Sequence, residues 1–149
     1  MNSPAEFLLL DTDVVSYRYA KRPEFERFRP YIDRKTLAIS LVTYAEQLEG
    51  GLRAGWADKK MDQFRAYLRM YLVIPADKEL AATFARIHSA CMLKGIDVSF
   101  SKHDVWTAAT AVRHNIPLLA NDRIFRKIRS VVSSLVVLPK EGDDSAEER

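Results

Sequence analysis

The sequence predicts an α/β domain of three layers, with helices on both faces of a central, mainly parallel sheet. Three observations carry that expectation: five short apolar runs, amphipathic helical stripes in the intervals between them, and a length of 149 residues that suits one compact core. Strands that alternate with helices pair in parallel through right-handed crossovers. Strands covered on both faces read as unbroken apolar stretches rather than as alternation.

The first run, Phe7-Leu8-Leu9-Leu10, is followed by helical spacing at Val14 and Tyr17 and by a second helical stretch around Phe25, Phe28 and Ile32. Residues 37–39 form the second run, and residues 43–56 a helix after it. The stripe Met61, Phe64, Leu68, Tyr71 makes a further helix, so that 46–71 reads as a helical hairpin broken at 55–58. Residues 72–74 are the third run; Leu80, Phe84, Ile87 and Cys91 then repeat the three- and four-residue spacing. Val105, Ala109 and Val112 carry it through 101–115, before the runs at 117–120 and 135–138. Residues 1–139 are read as one domain and 140–149 as an acidic, disordered tail.

Composition narrows the class. A hydrophobic share of 48% with 29% charged residues is ordinary for a globular protein, and a single cysteine, Cys91, excludes a disulfide scaffold and reads as a reduced core thiol. No apolar run has the roughly 18 residues of a membrane span, and residues 1–5 lack the basic start of a signal peptide, so a soluble, cytoplasmic protein is expected. The net charge of +3 is unevenly placed: the tail holds two basic and five acidic residues, which leaves 21 basic against 15 acidic, about +6, in the body. A basic body suits a polyanionic partner.

In an open parallel sheet, ligands bind outside the carboxyl ends of the strands. Four predicted strand-to-helix junctions carry an acid there: Asp11 with Asp13 two residues on, Glu46 in the first turn of its helix, Asp104 opening another, and Asp122 after Asn121. Each has a local reading. Thr43-Tyr44-Ala45-Glu46 matches a capping box, Ser101-Lys102-His103-Asp104 a looser one, and Asp122 complements a helix dipole. Asp11 has no cap to make unless a helix starts at once. If the four converge about 4 Å apart, each like-charge pair repels by roughly 4 kcal/mol at an effective dielectric near 20. Shared protons offset that, or a hard divalent cation does. All-oxygen donors favour Mg²⁺ or Mn²⁺, while His88, His103, His114 and Cys91 show no paired zinc spacing. A Mg²⁺/Mn²⁺ site suits phosphodiester hydrolysis by activated water, with no protein nucleophile required. Thr12, Ser16 and Ser40 are candidates for secondary contacts to water or phosphate.

Four segments stand out in order: Leu8-Leu9-Leu10-Asp11-Thr12-Asp13-Val14-Val15-Ser16, Ile39-Ser40-Leu41-Val42-Thr43-Tyr44-Ala45-Glu46, Asp104-Val105-Trp106-Thr107-Ala108-Ala109-Thr110-Ala111 and Leu118-Leu119-Ala120-Asn121-Asp122-Arg123-Ile124-Phe125. Together they resemble the PIN-domain ribonucleases, and within them the VapC-type toxins. The resemblance spans roughly residues 7 to 138, and its specificity lies in the order of all four. It implies that Asp11, Glu46 and Asp104 are core ligands of one or two Mg²⁺/Mn²⁺ ions, with Asp122 a more variable fourth acid, and that the chain cleaves RNA (tRNA, rRNA or mRNA). Two positions depart from the pattern. Ala120 stands where the family often has a hydroxyl that supports the first acid, a contact that Asn121 or Thr12 would have to replace, and Asp13 stands where Asn or Ser is common.

Cations must rim such a pocket for RNA to approach it. Arg123, Arg126, Lys127 and Arg129 on one flank and Lys21, Arg22, Arg27 and Arg29 on the other are expected to contact phosphates; Tyr17 and Tyr19 are candidates for stacking on bases, though Tyr17 reads first as a core residue. The resemblance further implies a homodimer and a cognate antitoxin seated on the helical hairpin. Two other readings stand beside it. One is a catalytically silent PIN scaffold that binds RNA or protein, which the intact acids disfavour. The other is a haloacid dehalogenase-like phosphatase with Asp11 as nucleophile, which expects a lysine and a later acidic pair where Asn121-Asp122 offers one acid.

Overall fold

The computed structural model describes residues 6–140, so the expected start at 1–5 and the acidic tail from 141 lie outside the described residues. Among the described residues the chain runs β1 (Phe7–Leu10), α1 (Thr12–Tyr19), a 3₁₀ turn (Pro23–Arg27), α2 (Arg29–Ile32), β2 (Thr36–Ser40), α3 (Leu41–Arg53) and α4 (Asp58–Leu68). It continues through β3 (Leu72–Ile74), α5 (Lys78–Leu93), α6 (Lys102–His114), β4 (Leu118–Leu119), α7 (Ile124–Val131) and β5 (Val137–Leu138). The five strands lie in the order β3-β2-β1-β4-β5, and every pairing is parallel. The winding reverses between β1 and β4. That switch point, at the carboxyl ends of the strands, is where a doubly wound sheet opens a crevice.

The apolar runs are continuous because neighbouring residues of one strand enter different layers. Leu8 and Leu10 pack with Val14, Phe25, Phe28, Phe64 and Leu68 under α1 to α4. Leu9 between them packs with Leu80, Ile87, Val105, Phe125 and Ile128 under α5 to α7. Cys91 is fully buried in that second layer, the inert position expected for it.

Two local departures from the sequence reading have clear causes. The stretch around Phe25 and Ile32 is a 3₁₀ turn followed by a four-residue helix, because Pro30 has no N–H and its ring would clash with a preceding helical carbonyl. Helix α3 starts at Leu41 rather than Thr43. Ser40 caps it by accepting the Thr43 N–H on its Oγ (3.0 Å), so the expected Thr43–Glu46 capping box is not formed and Glu46 falls in the second turn. The hairpin break holds: α3 ends at Arg53, Gly55 takes φ +77°, and α4 begins at Asp58. The two helices approach closely at Gly51, where a Cβ would stand 2.6 Å from Met61 Sδ.

Candidate metal centre

Helix α1 begins directly after β1, the one condition under which Asp11 was expected to have a cap to make, and Asp11 does cap it. Its Oδ1 accepts the Val14 N–H (2.9 Å), and its Oδ2 accepts the Asn121 N–H (3.1 Å) from the end of β4. The side chain is only 3% exposed. Two backbone donors from different elements fix the plane of this carboxylate, and each oxygen keeps a further lone pair. Ala120 is fully buried and supplies no hydroxyl to the first acid, whose Oδ2 is met by the Asn121 backbone.

The other acids gather around it. Asp11, Thr12, Asp13, Glu46, His103, Asp104 and Asp122 line a pocket of about 90 Å³. Asp104 stands in the first turn of α6, where Ser101 makes no side-chain cap; its carboxylate lies 3.3 Å from His103 Nε2. Asp122 is exposed at the rim and accepts the Ile124 N–H (3.0 Å), so its local role and its place at the pocket coexist. Thr12 donates its hydroxyl to Glu46 Oε1 (2.9 Å). Asp13 faces the pocket rather than away from it, with Asn121 Nδ2 at 3.5 Å. Ser16 stands outside the lining, exposed, and its Oγ accepts from Gln47 Nε2 (3.0 Å), a tie between α1 and α3.

The electrostatics match a pocket short of positive charge. Burial pushes the Asp11 carboxyl up to about 7, against the two backbone N–H groups that pull it down, and the charges of Asp13 and Asp104 add to the rise. Burial likewise lifts Asp104 to about 6; His103 opposes this, while Asp122, Glu46 and Asp13 reinforce it. Among the described residues no three His, Cys, Asp or Glu side chains are drawn together into a ready cage. The donor set nonetheless fits a hard divalent cation, since the lining offers five carboxylates and a hydroxyl, with one imidazole at its exposed edge and no sulfur. A cation would relieve the repulsion that burial concentrates here.

Outside the pocket, several of the residues expected to meet RNA have partners within the chain. Tyr19, half-buried, packs among Trp56, Phe64 and Tyr67, with ring centroids at 6.1, 4.7 and 4.9 Å. Arg126 donates to the Pro139 carbonyl (3.1 Å), which ties it to the chain after β5. Arg123 and Lys127 are exposed just beyond Asp122. On the other flank Arg22 pairs with Glu24 (3.0 Å), Arg29 pairs with Glu26 (2.9 Å), and Arg27 lies over the Phe28 ring. Exposed ion pairs of this kind are worth about 0–1 kcal/mol. Sequence reasoning missed His103 as a lining residue, gave Thr43 only a capping role, and gave Gln47 and Thr107 no role of their own; Thr43, Gln47 and Thr107 are all buried polar side chains. Their signal was a hydrogen-bonding side chain set on an otherwise apolar helical face.

Comparisons with known proteins agree with the fold. The family model described as PIN domain matches residues 8–131. The crystal structure of DNA-bound VapBC from Salmonella typhimurium is similar with a TM-score of 0.73 at 18% identity, covering 89% of this chain and 96% of that one. FitAcB from Neisseria gonorrhoeae gives 0.67 at 25% identity, covering 87% and 95%. VapBC-5 from Mycobacterium tuberculosis, a member of the VapBC family of toxin-antitoxin systems, gives 0.61 at 24%, covering 88% and 96%. No curated protein sequence matches this chain.

Proposed function

The chain belongs to the PIN domain family, and on that premise we propose that it is a metal-dependent endoribonuclease, the toxin of a toxin-antitoxin pair. The observation that carries this reading is the gathering of Asp11, Glu46, Asp104 and Asp122 at one pocket on the switch point of the sheet. Asp11, Glu46 and Asp104 would hold Mg²⁺ or Mn²⁺, with Asp122 at the open rim. When bound, such an ion supplies activation of water and neutralises charge developing on the scissile phosphate.

The remaining roles belong to the chain. Val14 and Asn121 aim the Asp11 carboxylate through their backbone N–H groups, and Thr12 holds Glu46 Oε1. Arg123 and Lys127 stand exposed beside the mouth, where phosphates of a tRNA, rRNA or mRNA strand would lie. No lysine lines the pocket, and Asp11 is held on both oxygens, so the phosphatase alternative gains nothing from the geometry. No helix among the described residues is long and apolar enough to cross a membrane, which is compatible with action on cytoplasmic RNA.

The partner proposal rests on the relatives. The Mycobacterium tuberculosis protein belongs to a toxin-antitoxin family, and by that likeness a cognate antitoxin would seat on the α3–α4 hairpin, which exposes Leu52, with the chain as a homodimer. The test is incubation with total RNA and Mn²⁺, with and without chelator, and mapping of the cut ends. Cleavage that chelator and Asp104→Asn both abolish supports the reading. Equal cleavage by that variant overturns it.

A further inference from the structure

Four hydroxyls lie in a line that ends on Glu46. Thr107 Oγ1 is 3.2 Å from Ser40 Oγ, Ser40 Oγ 3.2 Å from Thr43 Oγ1, Thr43 Oγ1 3.1 Å from Thr12 Oγ1, and Thr12 Oγ1 2.9 Å from Glu46 Oε1. Thr107, Ser40 and Thr43 are each at most 3% exposed. A carboxylate only accepts, and each hydroxyl has one proton, so the direction is forced from the Glu46 end. Thr12 spends its proton on Glu46, Thr43 must then donate to Thr12, Ser40 to Thr43, and Thr107 to Ser40. The line joins α6, β2, α3 and α1. Thr107 sits one helical turn beyond Asp104, on the same helix.

We propose that this directed hydroxyl chain, begun by Thr107 and passing through Thr43, holds Glu46 in its ligating position and registers it against the helix that carries Asp104. It rests on the metal-site reading above. Thr107 and Thr43 are therefore positioning residues, neither of them lining the pocket. One oxygen of Glu46 is pinned by Thr12, which leaves Oε2 to turn toward an ion. Aligned hydrogen bonds polarise one another, so every proton in the line strengthens the last bond. Loss of Thr43 removes the donor to Thr12 and the acceptor for Ser40 at once, and loss of Thr107 removes the hydrogen bond from α6 to Ser40 at the β2–α3 junction.

The probe is Mn²⁺ alone, titrated into the full chain and read by the electron paramagnetic resonance signal of the free ion, with thermal melting in chelator recorded in parallel. Thr43→Val and Thr107→Val keep shape and volume while removing the hydroxyl. Partners behind metal ligands typically cost 10–100-fold in affinity when removed, and a loss near tenfold is expected for each variant. Thr107→Ser restores the hydroxyl and should restore the affinity. In a Glu46→Gln background, Thr107→Val should add little, because its effect passes through that carboxylate. Parent-like affinity in both valine variants overturns the proposal, as does an undiminished effect of Thr107→Val on the Glu46→Gln background. If the parent itself takes up no Mn²⁺, the metal reading fails and this inference fails with it. A parent that binds while the valine variants bind equally well sinks the hydroxyl chain alone.

Discussion

Replacing Asp11 by Asn in metal-free protein should stabilise it at pH 8 and leave its stability nearly unchanged at pH 5. The rise of the Asp11 carboxyl from 3.8 to about 7 means the folded state holds its proton more tightly than the unfolded chain does. Stability from this group is therefore fully present below about pH 4 and lost as pH climbs through 7. At pH 8 the loss is about 4 kcal/mol, and at pH 5 it is about 2 kcal/mol. Asn removes the ionisation but has one acceptor oxygen where Asp11 accepts from both Val14 and Asn121. One buried N–H is left without a partner, at a cost of about 1–3 kcal/mol. The variant should accordingly be about 2 kcal/mol more stable than the parent at pH 8 and about equal to it at pH 5. Urea denaturation in chelator reads this directly. With a slope of about 2 kcal/mol per molar, the midpoint should rise by about 1 M at pH 8. A difference between variant and parent that does not vary with pH would refute the claim that burial strains this carboxylate.

Other outcomes follow from the same geometry. Saturating Mn²⁺ at about 100 times its dissociation constant should stabilise the parent by about 2.7 kcal/mol in thermal melting, and should do little for Asp11→Asn or Asp104→Asn. Mn²⁺ affinity measured by calorimetry should rise between pH 5 and pH 8, as Asp104 (about 6) and Asp11 (about 7) give up their protons; a flat profile contradicts that assignment. Gly51→Ala forces a Cβ to within 2.8 Å of the Trp56 ring and 2.6 Å of Met61 Sδ, so the α3–α4 hairpin should lose about 1–3 kcal/mol, seen as a lower melting temperature.

The sheet was legible because its strands are buried on both faces, and Leu8, Leu9 and Leu10 therefore announce themselves as one unbroken run whichever layer each enters. The acids were legible because strand ends are where a doubly wound fold opens, and Asp11 and Asp122 flank the winding reversal between β1 and β4. What stayed hidden depended on distance in space. Ser40 and Thr43 look alike as candidate caps, and only the emergence of α3 straight from β2 decides for Ser40. Tyr19 reads as an exposed aromatic until α4 brings Phe64 and Tyr67 over it. Thr107 meets Ser40 across 67 positions of chain, a pairing that no local pattern encodes.

A crystal of the protein grown or soaked in Mn²⁺, with data collected at the manganese edge, tests the central claim most directly. An anomalous peak among the carboxylates of Asp11, Glu46 and Asp104, lost in Asp104→Asn, is the predicted result. A map with no peak in that pocket at a Mn²⁺ concentration that supports RNA cleavage would contradict it.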